Sequence, residues 1–216
     1  MSATLHIDFL SDVSCPWCVI GLRALEQAVT NLAEEVETEI RFQPFELNPQ
    51  MPPEGQDLDE HLLQKYGATP EQFAATRQAI HDRGEELGFE FRMDRRNRIY
   101  NTFDAHRLLH WAEEEGRQLE LKHALFRAYF TEGENPGARD VLLRVAGDVG
   151  LDAARAAAIL DSDAYAEDVR ERESHYQSLG IHAVPAVIVN GKYLIQGGQP
   201  AAVFEQALRE IATKEA

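Results

Sequence analysis

Cysteine is scarce in this chain: Cys15 and Cys18 are the only two in 216 residues. With no second pair, a structural zinc site lacks the four ligands it needs, and no metal is expected. A basic excess is missing as well. Asp and Glu number 37 against 21 Lys and Arg, a formal charge of −16, which argues against nucleic acid or an anionic membrane as the main partner. No stretch approaches ~18 uninterrupted apolar residues, so no membrane span is expected. The opening Met1-Ser2-Ala3-Thr4-Leu5-His6-Ile7-Asp8 has neither a basic start nor a long apolar run, and no signal peptide is visible. A cytoplasmic location follows by default. In such reducing compartments disulfides are usually transient and catalytic. Repeats and low-complexity tracts are lacking too. The bulk composition, 44% hydrophobic and 27% charged, suits a globular protein with a substantial core, in one large domain or a domain carrying an insertion.

The two cysteines stand in Ser14-Cys15-Pro16-Trp17-Cys18, after an apolar stretch from Leu5 to Leu10 and before a helical pattern. A Cys-x-x-Cys at a strand-to-helix junction reads as a thioredoxin-like redox motif. The first sulfur would sit at a helix N-terminus, where unpaired N–H groups and the helix dipole favour negative charge. That favours the thiolate, the reactive form. Pro16 suits the first helical turn, having no N–H to leave unpaired. Cys18 follows about one turn later, near enough to close a disulfide with Cys15. A purely structural disulfide across two residues would restrict the unfolded chain little. Such a disulfide, a metal role and two unrelated buried cysteines all remain weaker readings than thiol chemistry.

In chain order, Leu5 to Leu10 reads as a buried strand whose one charge is Asp8. A carboxylate beneath the cysteines would be able to shuttle protons, although an edge position without chemistry is the simpler reading of Asp8. Val19 to Glu35 carries an apolar stripe of helical period. Ile40, Phe42 and Phe45 mark a second strand, and Asn48 to Gly55, with adjacent Pro52 and Pro53, marks a loop and a boundary. From Leu58 to Leu179 the pattern is nearly all helical, with a faint strand signal at Phe89-Glu90-Phe91. Thr69 before Pro70 is a cap candidate, as is Asn101 or Thr102. A charged helix from Asp163 to Leu179 suggests a solvated face. Strand signals return at Ile181 to Val189, and Asn190-Gly191 is a two-residue hairpin signal. Lys192 to Gln196 pairs back, and an amphipathic helix carrying Val203, Phe204, Leu208 and Ile211 ends the chain. The inventory is β-α-β plus β-β-α: an α/β thioredoxin fold interrupted by an all-helical insertion. The expected division is 1–56 with 180–216 as the thioredoxin-like part and 57–179 as the insertion.

The sequence resembles the DsbA-like thioredoxin superfamily, in its FrnE branch. The segments that carry the likeness are Asp12 to Gly21, Phe45-Glu46-Leu47-Asn48-Pro49, Asn101 to Leu108, Val184-Pro185 and Ile195 to Gln199. The resemblance implies a cis peptide bond between Val184 and Pro185 beside Cys15, which would leave the Val184 backbone free to pair with an extended peptide or glutathione. It implies that Asn48 lies near the site. It also implies that Gly197, Gly198 and Gln199, before the last helix, frame it and offer N–H groups to a carboxylate. Ser14, Pro16 and Trp17 complete the candidate binding set, with Cys15, Cys18 and Pro185 as candidate catalytic residues. Asp8 stands one residue further from the cysteines than the buried acid of thioredoxin, so its equivalence is open. His106 and His110, four apart, lack the glutamate of a His-Glu-x-x-His metal motif and read as helix packing. His182 is a weaker candidate at the mouth of the site.

The expected activity is thiol–disulfide exchange. Cys15 attacks a substrate disulfide, and Cys18 or the substrate's own thiol resolves the mixed disulfide. Disulfide-containing proteins or glutathione are the expected partners, with glutathione as a co-substrate and no tightly bound cofactor, in a monomer or homodimer. Relatives on this fold that lack the redox pair, kappa-class glutathione transferases and 2-hydroxychromene-2-carboxylate isomerases, keep a glutathione-dependent reaction open here. A redox sensor or holdase without turnover also stays open.

Overall fold

The computed structural model describes residues 4–67 and 69–215. A central four-stranded sheet has the order β2-β1-β5-β6. Strand β1 (Leu5–Ser11) pairs in parallel with β2 (Thr38–Pro44), Ile7 opposite Ile40 and Phe9 opposite Phe42. The crossover between them is α1 (Pro16–Asn31). On its other side β1 pairs antiparallel with β5 (Ala186–Val189), which turns into β6 (Tyr193–Gln196). The turn is built from Asn190 and Gly191, both at positive φ (51° and 65°). Val189 pairs with Tyr193, so the loop holds three residues, not two, and Lys192 belongs to it. The strand expected from Ile181 is regular only from Ala186, because 181–185 leads irregularly into the cis Val184–Pro185 bond.

Alternation along β1 sends Leu5, Ile7 and Phe9 to one face, where they meet Leu22 and Leu25 of α1 and Phe204, Leu208 and Ile211 of α9 (Ala201–Glu215) in one buried cluster. Val187 and Val189 of β5 join from the neighbouring strand. Burying side chains of this size stabilises the fold by about 1.5–3 kcal/mol each.

The segment between β2 and β5 is helical apart from a two-stranded ribbon, β3 (Gln56–Asp57) against β4 (Arg98–Ile99). The faint signal at Phe89-Glu90-Phe91 is not a strand; Phe89 and Phe91 are core side chains in a loop. The helices are α2 (Leu58–Tyr66), α3 (Pro70–Glu86), α4 (Phe103–Glu114), α5 (Gln118–Phe130), α6 (Arg139–Asp148), α7 (Ala153–Leu160) and α8 (Ala166–Ser178). Thr69 caps α3 in a reciprocal capping box with Gln72. Thr102 is the N-cap residue of α4, while the Asn101 side chain accepts the Phe103 N–H at 2.9 Å. Ile80 of α3 and Phe126, Tyr129 and Phe130 of α5 enter the same cluster as α1 and β1. A second cluster is built mainly by α4 to α7, with Val13 from the β1–α1 loop. The helical segment therefore packs directly on the sheet and α1. The charged α8 turns some of its charge inward: Arg170 pairs with Glu46 and Glu173, both buried, and Arg172 with Glu113 at 2.6 Å.

Candidate active site

Cys15 is the N-cap residue of α1, its backbone extended (φ −93°, ψ 113°), with Pro16 in the first turn. The helix thus starts three residues before the apolar stripe does. Cys15 and Cys18 are both free thiols. Cys15 keeps 4% of its surface and Cys18 none. The Cys15 Sγ lies 3.8 Å from the Val184 carbonyl oxygen, a weak S–H donation across 169 residues of chain. Burial pushes the Cys18 thiol well above the ordinary thiol range, and the neighbouring Cys15 sulfur adds to this. The two sulfurs are therefore unequal: one reaches the surface and the other is held protonated beneath it.

Behind the pair, Pro185 packs on α1. A Cβ on Gly21 would come within 3.0 Å of the Pro185 ring, and one on Gly198 within 3.0 Å of the Trp17 carbonyl. Of the three residues expected to frame the site, Gly198 is the one that packs closely on the start of α1. The Gly197 N–H donates to the Pro185 carbonyl (2.8 Å) and the Gln199 N–H to the Gly197 carbonyl (2.9 Å). Two of the three donors expected to receive a ligand carboxylate are thereby committed within the chain. The Gln199 amide, too, donates to the Gln196 carbonyl at 2.8 Å.

In front of Cys15 opens a cleft of about 410 Å³ between the sheet end and helices α2 and α3. Ser14, Cys15, Pro16, Trp17, Asn48 and Val184 all line it; Cys18, Pro185 and Gly197 to Gln199 do not. The far wall holds Leu58, Leu62, Tyr66, Phe73 and Ile80. No lining side chain is acidic, whereas Lys65, Arg77, Arg96 and His61 are basic. This polarity runs against a chain of net charge −16. Lys65 donates to the Leu47 carbonyl (2.8 Å) and to Asn48 Oδ1 (2.9 Å), tying the Asn48 loop to α2. Partial burial lowers the Lys65 pKa. Arg96 donates to the Ser14 carbonyl at 3.4 Å, with its guanidinium over the rings of Tyr129 (4.9 Å) and Phe130 (5.1 Å).

The carboxylate nearest the cysteines is Asp12, not Asp8. Asp8 accepts from Gln43 Nε2 at 2.7 Å and faces Tyr176 of α8, on the sheet face away from α1. Asp12 is buried in the β1–α1 loop, accepting from the N–H of Leu47 (2.7 Å) and of Ser14 (3.1 Å). Burial alone would raise its pKa, but the facing His106 imidazole and these two N–H groups outweigh it and hold the carboxyl below its ordinary range. His106 is buried with Nε2 3.7 Å from Asp12 Oδ1, so it has a polar role besides packing. His110 stacks near Tyr165 at 5.1 Å, and His182 is exposed outside the cleft. Sequence reasoning missed Asp12, Lys65 and Arg96 as parts of the site. Only Asp12, three residues before Cys15 in the matched segment, carried a signal.

No described helix is long and apolar enough to cross a membrane. A model of the DSBA-like thioredoxin domain matches residues 6–209. YwbO, an uncharacterized protein of Bacillus subtilis (strain 168), is 31% identical over 213 residues, covering 98% of this chain and all of that one. The crystal structure of the probable DsbA oxidoreductase SCO1869 from Streptomyces coelicolor superposes with a TM-score of 0.91 at 33% identity, over 98% of this chain and 91% of that one. The cytosolic disulfide reductase DsbM from Pseudomonas aeruginosa, solved with GSH, shares the fold at a TM-score of 0.62 and 18% identity, over 99% and 98% of the two chains. With the cysteine pair at the head of α1, the cis proline beside it and a family match along nearly the whole length, this chain belongs to the DsbA-like thioredoxin family of oxidoreductases.

Proposed function

We propose that the protein is a thiol–disulfide oxidoreductase whose preferred partners are small, negatively charged thiols and disulfides of the glutathione type. The observation that carries this is the cleft in front of Cys15. Its volume of about 410 Å³ suits a small ligand rather than a folded protein, and its wholly basic set of charges complements carboxylates. The Cys15 thiolate attacks one sulfur of the substrate disulfide, the S–S bond breaks, and one thiolate leaves. Cys18 then attacks Cys15 Sγ, releasing the second thiolate and leaving a Cys15–Cys18 disulfide. The substrate gains the two electrons that the cysteine pair loses. Two thiol molecules return the pair to its reduced form: the first attacks Cys15 Sγ and displaces Cys18, and the second attacks the sulfur of the first, freeing Cys15 and leaving as a new disulfide.

Reduced protein mixed with glutathione disulfide should be oxidised at the cysteine pair, and Cys15→Ser should abolish this. Exchange retained in that variant would refute the assignment. Glutathione-dependent turnover of an electrophilic aromatic compound that survives Cys15→Ser would move the chemistry to the thiolate of glutathione itself, with Ser14 beside it.

A further inference from the structure

Arg96 lies in the loop between α3 and β4 and lines the cleft beside Ser14 and Cys15. The fold holds this loop on both sides of it. The Arg92 N–H donates to the Phe130 carbonyl at 2.8 Å, and the Leu58 N–H to the Asn97 carbonyl at 2.9 Å. Arg95 packs so closely on Gly133 that a Cβ there would lie 2.7 Å from the Arg95 carbonyl oxygen. The guanidinium itself rests on the buried rings of Tyr129 and Phe130. The Tyr129 ring is fixed in turn, its hydroxyl donating to the Arg98 carbonyl at 2.8 Å.

A cation held this firmly is left almost without partners. Arg77 of the same cleft pairs with Asp59 at 3.0 Å, and Lys65 donates to two oxygens. Arg96 pairs with no carboxylate among the described residues. Its Nε is buried without a hydrogen bond, and its one hydrogen bond is the 3.4 Å donation from Nη2 to the Ser14 carbonyl. Holding a guanidinium in place with its donors unused costs stability. An uncharged side chain would pack on the two rings without that cost. Packing therefore accounts for the rings beneath Arg96 but not for its charge.

We propose that Arg96 is the specificity-determining residue of the cleft, and that it receives the glycine carboxylate of a glutathione-type thiol or disulfide. The inference rests on the anionic substrate proposed above. A planar fork of N–H donors matches a carboxylate with paired hydrogen bonds, and pre-positioning removes most of the ordering cost of making them. Of the two acid groups in each half of glutathione disulfide, the γ-glutamyl carboxylate carries its own ammonium on the same carbon. The glycine carboxylate has no such partner, so it is the one that an uncompensated guanidinium favours. It stands on the residue next to the sulfur-bearing one, as Arg96 is anchored on the residue next to Cys15.

The test is oxidation of the reduced protein by three disulfides: glutathione disulfide, the same compound with both glycine carboxylates capped as ethyl esters, and the neutral bis(2-hydroxyethyl) disulfide. Each rate constant is divided by that of the same disulfide with dithiothreitol, which removes differences in intrinsic reactivity. The wild type should prefer the free acid to its ester by about tenfold, the equivalent of one charge-assisted hydrogen bond. Arg96→Met should bring that ratio to about one. Arg96→Lys, which keeps the charge but not the fork, should fall between them. A residue that merely held the loop would lower both rates and leave their ratio alone. A ratio unchanged in Arg96→Met or in Arg96→Lys would therefore overturn the assignment. So would a wild type that prefers glutathione disulfide to the neutral disulfide but does not distinguish acid from ester, a result that needs no variant to fold. A wild type with no preference for glutathione disulfide over the neutral disulfide would instead refute the anionic-substrate reading itself.

Discussion

Replacing Lys122, which is buried in α5 without a hydrogen-bond partner among the described residues, with methionine should stabilise the protein, and the gain should depend on pH in a way that identifies its cause. In the unfolded chain the lysine titrates near its ordinary 10.5, and in the folded protein burial brings it to about 8. At about 1.4 kcal/mol per pH unit, that gap costs the folded state roughly 3 kcal/mol. Below pH 8 both states carry the proton and the full penalty applies. Between about 8 and 10.5 the folded state has released a proton that the unfolded state still binds, so wild-type stability rises with pH. Above that range the penalty has gone. Lys122→Met lacks this titration. The variant should therefore exceed the wild type by roughly 3 kcal/mol at pH 7, with the difference shrinking towards pH 10. The measurement is urea unfolding at pH 6 to 10 with both cysteines replaced by alanine, so that no thiol titrates. Removing the cysteines also removes two of the groups that raise the Lys122 pKa, so the difference can only widen. A difference between the two proteins that stays constant across that pH range would refute the reasoning.

Three further outcomes can be checked. Gly84→Ala gains up to about 1 kcal/mol of helix propensity, but its Cβ would lie 2.4 Å from the Phe91 ring and 2.8 Å from the Phe89 carbonyl. Overpacking of this kind costs about 1–3 kcal/mol, so the urea midpoint should fall. Asp12→Asn removes a carboxylate that accepts two backbone N–H groups, for a loss of about 1–3 kcal/mol at pH 7. Because the folded pKa of Asp12 is depressed, its contribution is present above its unfolded value near 4 and fades as pH falls through the folded one; the wild type and variant should converge in acid unfolding. Lys65→Met should raise KM for glutathione disulfide about tenfold, the equivalent of one charge-assisted hydrogen bond. It should also weaken the dependence of KM on salt; an unchanged KM would remove Lys65 from substrate binding.

What the sequence disclosed was whatever local chemistry encodes. Cys15-Pro16-Trp17-Cys18 announced both a helix start and its reagent, because a proline in the first turn and a redox pair are short-range signals. Asn190-Gly191 marked the hairpin, and Thr69-Pro70 marked the start of α3. The buried and site-lining charges stayed hidden because tertiary packing sets their surroundings. Lys122, about a hundred residues beyond Cys18, sits in Glu-Leu-Lys-His, where a lysine reads as a solvent-facing helix residue. Arg96 lies among other arginines in a loop, and nothing local shows that it reaches the Ser14 carbonyl. Asp8 drew attention through its strand, but the pleat turns it away from α1, while Asp12 lies past the strand in the loop that leads to Cys15.

The two walls of the cleft are anchored very differently. The reactive sulfur stands on a helix and sheet locked into the largest buried cluster, whereas α2 buries only Leu58 and is held by the β3–β4 ribbon, the Asn48 loop and an Arg77–Asp59 ion pair to α3. If the proposed function holds, substitutions along α2 should change which ligand docks while leaving the sulfur chemistry intact.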